Sequence, residues 1–269
     1  MDLIKKAIIN FKCDKICLFS SNISLYNRIR FIFEKYWSIG FNKRKINFLG
    51  TPFIYDSRFG PVLLETYPQE VLELNKRINL SNAKAILDIG TNVGQWAFTI
   101  KKLFPNIKVY SFEPNKKIFD LLNFNKKELN AKDWFTFQYA ISNKEEARKF
   151  YFSESASAEG SFYKENMSQN YVRPDVQETK VKAISLNKAS LRKLKLPNYF
   201  DLVKIDVEGA EKEVLQGLSG IKFRYLEIEV IRKRAVGITL SQVEKHFKAL
   251  GFKVKLLYED FFDETSPDI

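Results

Sequence analysis

The stretch Ala85-Ile86-Leu87-Asp88-Ile89-Gly90-Thr91-Asn92-Val93-Gly94 decides how the rest of the chain is read. Ala85–Ile89 is a short, nearly unbroken apolar run, the pattern of a strand buried on both faces of a parallel sheet. It ends in Asp-x-Gly, and a second glycine follows four positions later. Gly90 permits a tight turn off the strand, and Gly94 permits close backbone approach where the next helix starts. In an open α/β sheet, ligands bind beyond the carboxyl ends of the strands, where the strand order reverses.

Downstream, the same alternation repeats. Gln95–Phe104 is amphipathic and stops before Pro105, and Lys108–Phe112 reads as a second buried strand ending at Glu113-Pro114. Asn115–Asn123 is helical, and Trp134–Tyr139 is a third strand. This order implies a parallel sheet with right-handed crossovers. Phe150–Phe152 and Lys180–Ile184 predict further strands, flanking the polar stretch Ser153–Glu178, which is long enough to be mobile or functional. Asp201–Asp206 is the fourth core strand, Ala210–Leu218 a helix and Arg224–Val230 the fifth strand. Ser241–Leu250 predicts a helix with Ser241 as N-cap and Gly251 at its end, and Phe252–Glu259 closes the sheet.

Upstream, Leu3–Trp37 has a helical period with a break at Ser21-Asn22, and Gln69–Leu80 has one again. Between them, Asn47–Leu49, Phe53–Tyr55 and Val62–Glu65 read as short strands or a hairpin. The expected organisation is a basic helical and hairpin extension over residues 1–66, then one α/β domain over 67–269. With 269 residues and 45% hydrophobic side chains, the chain can bury a large core, which excludes global disorder.

No apolar run approaches the roughly 20 residues needed to span a bilayer. Met1–Leu18 is interrupted by Lys5, Lys6, Lys12, Asp14 and Lys15 and lacks a signal-peptide core, so a cytoplasmic location is expected. Cys13 and Cys17 read as reduced thiols on one helix face, and with His246 the one histidine, no zinc site is expected. The net charge of +12 is uneven: residues 1–50 hold ten basic side chains against three acidic ones. Such a field favours nucleic acid, anionic headgroups or a phosphate-bearing substrate, although a lysine-rich solvated surface explains it too.

The loop spacing Asp-x-Gly-x-x-x-Gly differs from the dinucleotide pattern Gly-x-Gly-x-x-Gly. A pyrophosphate calls for bare amides at a helix N-terminus. A methionine tail presents an ammonium beside a carboxylate, which an acid such as Asp88 suits. Glu113 ends the second strand 23 positions after Gly90, where a carboxylate can accept from both ribose hydroxyls. Nicotinamide enzymes also place an acid about 20 residues on. Glu113 therefore points to an adenosine-bearing cofactor without choosing among them, unless it is a solvated strand-end carboxylate. The third signal is Lys204-Ile205-Asp206-Val207-Glu208-Gly209-Ala210-Glu211 at the end of the fourth strand. Amine-directed nucleic-acid methyltransferases carry Asn/Asp-Pro-Pro-Tyr/Phe there, whereas Asp-Val-Glu-Gly suits an acceptor rich in hydroxyls. Glu208 and Glu211 could instead serve the N-terminus of the following helix.

These residues together make the chain resemble the FkbM family of methyltransferases. The matching segments are Leu87–Gly94, Ser111–Pro114, Ala140–Asn143, Asp201–Glu211 and Leu226–Glu229, within a similarity spanning roughly Tyr67 to Asp260. The resemblance implies a class I methyltransferase, Rossmann-like sheet of seven strands, the last antiparallel. It implies S-adenosylmethionine held by Asp88, Gly90, Asn92, Gly94, Glu113, Pro114 and Ala140. It also implies O-methylation, of sugars in bacterial glycans or of macrolide-type metabolites. One departure is Ser185-Leu186-Asn187, where members carry Thr-Leu-Asp, so an acceptor role for that position is in question.

Methyl transfer to an alcohol requires alignment and a base for the departing proton. Asp206 is the first choice, then Glu208 and Glu229; His246, mid-helix, reads as a surface or core residue. The favoured reading needs no metal. Its rival is a divalent cation on Asp206 with Glu227 or Glu229. The expected partner is a hydroxyl-bearing acceptor, a carbohydrate linked to phosphate or lipid, with residues 1–50 against an anionic membrane. An RNA methyltransferase rests on charge alone. A nicotinamide oxidoreductase lacks its glycine fingerprint, and a binding-only protein is the remaining alternative.

Overall fold

The structure, a computed structural model, describes residues 24–41, 45–55, 66–153, 160–167, 175–230 and 235–255. It begins with α1 (Leu25–Phe41), the hairpin β1 (Lys45–Phe48) and β2 (Thr51–Ile54), and α2 (Thr66–Ile78). The alternating core follows: β3 (Ala85–Ile89), α3 (Gln95–Leu103), β4 (Lys108–Phe112), α4 (Lys116–Glu128) and β5 (Trp134–Phe137). Next come β6 (Ala140–Ile141), β7 (Glu146–Ser153), β8 (Val176–Ile184) and α5 (Lys188–Leu194). The described chain finishes with β9 (Tyr199–Ile205), α6 (Glu211–Gly217), β10 (Lys222–Ile228) and α7 (Leu240–Ala249).

The central sheet has the order β10-β9-β3-β4-β5, and every pairing in it is parallel. Ile86, Leu87, Asp88 and Ile89 of β3 are all buried, as its apolar run requires. From β3 the chain moves outward on one side to β4 and β5, then crosses to β9 and β10 on the other. The reversal therefore falls at the carboxyl end of β3, where the glycine loop begins. Among the described residues this sheet has five strands. Phe252–Lys255 form no strand: Phe252 packs instead on Phe223 and Phe247, with ring centroids 5.6 and 5.7 Å away. The rest of the expected closing strand lies outside the described residues.

A second sheet has the order β6-β8-β7 and leaves the first at the end of β5. β7 and β8 are antiparallel partners from Glu146 opposite Ala183 to Ser153 opposite Val176. Both strands run longer than the apolar clusters Phe150–Phe152 and Lys180–Ile184 predict. The extra length carries charged side chains such as Arg148, Lys149 and Glu178, which are poor strand formers until cross-strand pairs such as Lys149–Glu178 (2.9 Å) support them.

The helix boundaries follow capping chemistry. Asn115 caps α4 by accepting from the Lys117 amide, and α4 runs beyond the expected Asn123 to Glu128. The cap of α7 is Thr239, not Ser241: its hydroxyl accepts from the Gln242 amide while the Gln242 side chain accepts from the Thr239 amide. α5 was not expected from the sequence. Its cap is Asn187, whose Oδ1 accepts from the amides of Ala189 and Ser190. Asp would cap equally well, so the exchange of Asp for Asn there preserves a structural role.

α1 starts at Leu25 and continues past Trp37. The expected helix before Ser21, both cysteines and the strand Val62–Glu65 lie outside the described residues. The hairpin is built into the main core: Phe48 and Phe53 meet Phe98 of α3 at centroid distances of 5.6 and 5.0 Å, with Phe31 of α1 against Phe48. Asn125 of α4, fully buried, seals this junction. Its amide accepts from the Ile54 N–H and donates to the carbonyls of Ile54 and Val93, at 2.7, 2.7 and 2.8 Å. Among the described residues no helix is long and apolar enough to cross a membrane.

Candidate active site

A cleft opens beyond the carboxyl ends of β3, β4, β9 and β10, walled on its far side by Tyr139, Ala140 and Phe150 of the second-sheet region. The turn after β3 forms its floor. Gly90 has φ +83, and a Cβ there would lie 1.7 Å from the Asp206 carbonyl oxygen, so a side chain would force β9 away. The Gly90 and Thr91 amides both donate to the Phe112 carbonyl, at 3.0 and 3.1 Å. Gly94 has a different task. It caps α3 at φ +89, and a Cβ would strike Leu122 and Trp134 at 2.6 and 2.8 Å. It brings α3 close to α4 and β5 and does not line the cleft.

Parallel register places a polar row beneath this floor. Asp88 of β3 lies opposite Ser111 of β4 and Lys204 of β9; Ser111 in turn faces Thr136, and Lys204 faces Glu227. Five adjacent strands thus each set one polar residue at the same level. Asp88 is fully buried, and its Oδ2 accepts from the hydroxyls of Thr91 and, at 3.2 Å, Ser111. Ser111 also accepts from the indole N–H of Trp134 at 2.9 Å. The other Asp88 oxygen, Oδ1, is buried without a hydrogen-bond partner. Burial pushes the Asp88 carboxyl up, and the Lys204 ammonium and both hydroxyls pull it back.

Glu113 is buried, not solvated. Its Oε1 accepts from the Asn115 amide at 2.8 Å and its Oε2 from the Asn92 amide at 3.1 Å. Asn92, at φ +53, turns its own Oδ1 onto the Val93 amide at 2.6 Å. Pro114 and Ala140 both line the cleft.

Across the floor stand three carboxylates. Asp206, Glu208 and Glu229 each bring an oxygen within 4.8 Å of the other two. Asp206 follows β9, and its amide donates to the Ile89 carbonyl at 3.0 Å. Glu208 sits in the left-handed region at φ +55, an uncommon conformation for a non-glycine residue. Two residues from the far wall hold it there: Ser161 Oγ and Asn166 Nδ2 donate to the Glu208 carbonyl at 2.7 and 2.9 Å. Asn166 also exchanges bonds with the Val236 amide and carbonyl, at 2.9 and 2.8 Å. Glu229 follows β10 and has one oxygen buried without a hydrogen-bond partner. The neighbouring Asp206 charge, burial and Glu208 hold its carboxyl well above the ordinary 4.5, with Lys204 opposing.

Glu227 lies two residues earlier and stays outside the cluster. Glu211 turns inward to accept from the amides of Gly209 and Ile238, at 2.7 and 3.4 Å, which fits a structural role. His246 lies exposed on α7 against the Phe247 ring, away from the cleft.

Lys204 and Tyr67 are cleft residues to which the sequence reading gave no role. Lys204 is buried, donates to Asp206 Oδ2 at 2.7 Å, and lies 5.9 Å from the Trp96 ring centroid. Burial lowers its proton affinity, but Asp206 and Asp88 outweigh that and hold the ammonium well above 10.5. A lysine inside the apolar run Leu202-Val203-Lys204-Ile205 was the available signal. Tyr67 of α2 also lines the cleft, its hydroxyl pushed up by burial and by Glu70; no spacing rule pointed to it.

The donor set fits a methionine-bearing nucleoside. The unpartnered Asp88 oxygen can receive an ammonium, and Glu113 offers acceptor oxygens at the end of the next strand. A curated relative, "Methyltransferase 1" of Beauveria bassiana (strain ARSEF 2860), is 25% identical over 143 residues, covering 49% of this chain and 57% of that protein. The chain thus spans little more than half the length of this relative. Among solved structures, a precorrin-6y C5,15-methyltransferase from Geobacter metallireducens GS-15 is 14% identical with a TM-score of 0.38, covering 68% of this chain and 67% of that one. The plantazolicin methyltransferase BpumL in complex with SAH is 11% identical with a TM-score of 0.35, covering 92% and 76%. The family model of the methyltransferase FkbM domain matches residues 88–259, from the buried aspartate of β3 past all three clustered carboxylates. The chain therefore belongs to the FkbM methyltransferase family, whose cofactor is S-adenosylmethionine.

Proposed function

We propose that this chain is an S-adenosylmethionine-dependent O-methyltransferase whose acceptor is a hydroxyl of a sugar in a bacterial glycan or glycoconjugate. One observation carries the reading: the carboxylates of Asp206, Glu208 and Glu229 gather across the same cleft as Asp88, Gly90 and Glu113. When bound, the cofactor supplies a methyl group already activated by sulfonium.

The protein's work is alignment, exclusion of water and management of one proton. Asp88 takes the ammonium and Glu113 the ribose hydroxyls. Asp206, burial and Glu208 raise the proton affinity of Glu229, and Lys204 donates to Asp206 Oδ2 at 2.7 Å. Asp206, with Glu208 behind it, accepts the acceptor's hydroxyl hydrogen as the new carbon–oxygen bond forms. Carboxylates grouped in this way also suit hydrogen-bond donors from adjacent sugar hydroxyls.

Calorimetry provides the test. The protein should bind S-adenosylhomocysteine and ignore NAD; binding of NAD alone would overturn the reading. Glu113→Ala should weaken S-adenosylhomocysteine binding about a hundredfold, for the loss of a charge-assisted pair. Asp206→Ala should leave that affinity within about threefold and remove turnover of about 10²–10⁴. Turnover that survives exhaustive EDTA treatment leaves the proton with the carboxylates. Turnover lost to EDTA and restored by Mg²⁺ assigns them to a cation instead.

A further inference from the structure

Two residues that line the cleft each hold a buried polar atom without a hydrogen-bond partner, and the two atoms are of opposite kind. One is an acceptor, Asp88 Oδ1; the other is a donor, the indole Nε1–H of Trp96. Trp96 is 3% exposed and stands second in α3, within the first turn of that helix. A native fold rarely leaves a buried donor unmatched, because the donor has given up its hydrogen bond to water. Lys204 neighbours both atoms. It lies opposite Asp88 in the register of β3 and β9, and its Nζ is 5.9 Å from the Trp96 ring centroid.

The charges of the cleft narrow the ligand. Among the described residues that line it, Asp88, Glu113, Asp206, Glu208 and Glu229 are acidic, and Lys204 alone is basic. An anionic group entering the cleft therefore finds an opposite side-chain charge in one place, beside Trp96. The first turn of α3, a helix of nine residues, adds its positive end there. An ammonium has three donors, of which Lys204 gives one to Asp206 Oδ2 at 2.7 Å. A donor beside a cation calls for a carboxylate, and the orphaned acceptor one strand away calls for an ammonium. An α-amino acid carries both on a single carbon. A sugar hydroxyl offers no charge to match the lysine.

We propose that the Trp96 indole N–H and the Lys204 ammonium together receive the carboxylate at the methionine end of the cofactor, while Asp88 takes its ammonium. This rests on the reading of the cleft as an S-adenosylmethionine site and gives a partner to the one charged group of the methionine end that Asp88 does not serve.

Calorimetry with two ligands isolates that group. S-adenosylhomocysteine and its decarboxylated form, which keeps the ammonium, differ by the carboxylate alone. The full chain should bind the decarboxylated form about tenfold to a hundredfold more weakly, as the loss of charge-assisted hydrogen bonds requires. Equal affinity for the two would overturn this proposal and leave the cofactor reading standing; binding of neither would overturn both. Trp96→Phe keeps an aromatic ring and removes the N–H. It should weaken S-adenosylhomocysteine binding about tenfold and leave the affinity for the decarboxylated form within about twofold. Equal losses for both ligands would mean that Trp96 only packs, and a raised acceptor KM with S-adenosylhomocysteine affinity intact would set the N–H against the acceptor; either result overturns the assignment. A further measurement leaves the chain unaltered. With isotope-labelled tryptophan, the Trp96 indole proton should move downfield in nuclear magnetic resonance when S-adenosylhomocysteine binds and stay in place with the decarboxylated form. The same position with both ligands would overturn the proposal.

Discussion

Glu229 concentrates the electrostatic tension of the cleft. Its raised proton affinity means that the folded state holds a proton which the unfolded chain releases near 4.5. Between 4.5 and the folded value, the folded protein binds more protons than the unfolded one, so stability falls as pH rises through that window. Glu229→Gln keeps a neutral donor toward Asp206 and removes this loss. The variant should melt about 2–4 °C above the parent at pH 8 and converge with it near pH 4 (about the shift that 1 kcal/mol produces at this size). Thermal scans across pH would show the crossover. A variant no more stable at pH 8 would mean that the carboxyl ionises in the fold as readily as in the unfolded chain. Asp88, Glu113 and Asp206 were legible in the sequence because each stands where an apolar run ends, and strand ends line clefts. Lys204 was not. Its meaning comes from register, which sets it between Asp88 and Glu227, and register is a property of the assembled sheet.

Elements were legible in proportion to the apolar content of the chain. β3, β4 and β9 are largely buried in a parallel sheet and read as apolar runs within two residues of their ends, and β10, at the edge and half-buried, falls within two residues as well. β7 and β8 alternate charged and apolar residues on a half-solvated hairpin, so their outer halves passed for loop. α5 is seven residues long and depends on its cap more than on any period. The short segment Lys164–Met167 was hidden within the polar stretch, yet its Asn166 fixes the left-handed turn at Glu208. Asn166→Ala should release that turn and lower kcat about tenfold, since small displacements of catalytic groups are costly. KM for the acceptor should rise less, and S-adenosylhomocysteine affinity should hold. Equal losses in kcat and cofactor binding would show general destabilisation instead.

At the scale of the molecule, the hairpin β1–β2 and the glycine loop are joined through one amide. Asn125→Ala would leave the Ile54 N–H and carbonyl without their partner in a buried junction. The expected cost is about 1–3 kcal/mol, read as a lower midpoint in urea with an unchanged slope. Because Asn125 also binds the Val93 carbonyl, cofactor affinity should fall with it. No sequence period announces such a contact, since it joins residues 71 and 32 positions apart.

The far wall of the cleft has a further consequence. Residues 140–184 form one uninterrupted stretch of chain, inserted between the third and fourth strands of the central sheet. Among the described residues its ties to the rest of the cleft include Ser161 and Asn166 on the Glu208 carbonyl, and Arg148, Tyr163 and Ser142 on Glu213. Such a piece behaves as a cassette. A replacement segment that kept Arg148, Ser161, Tyr163 and Asn166 would leave the strand order β10-β9-β3-β4-β5 and the glycine loop untouched.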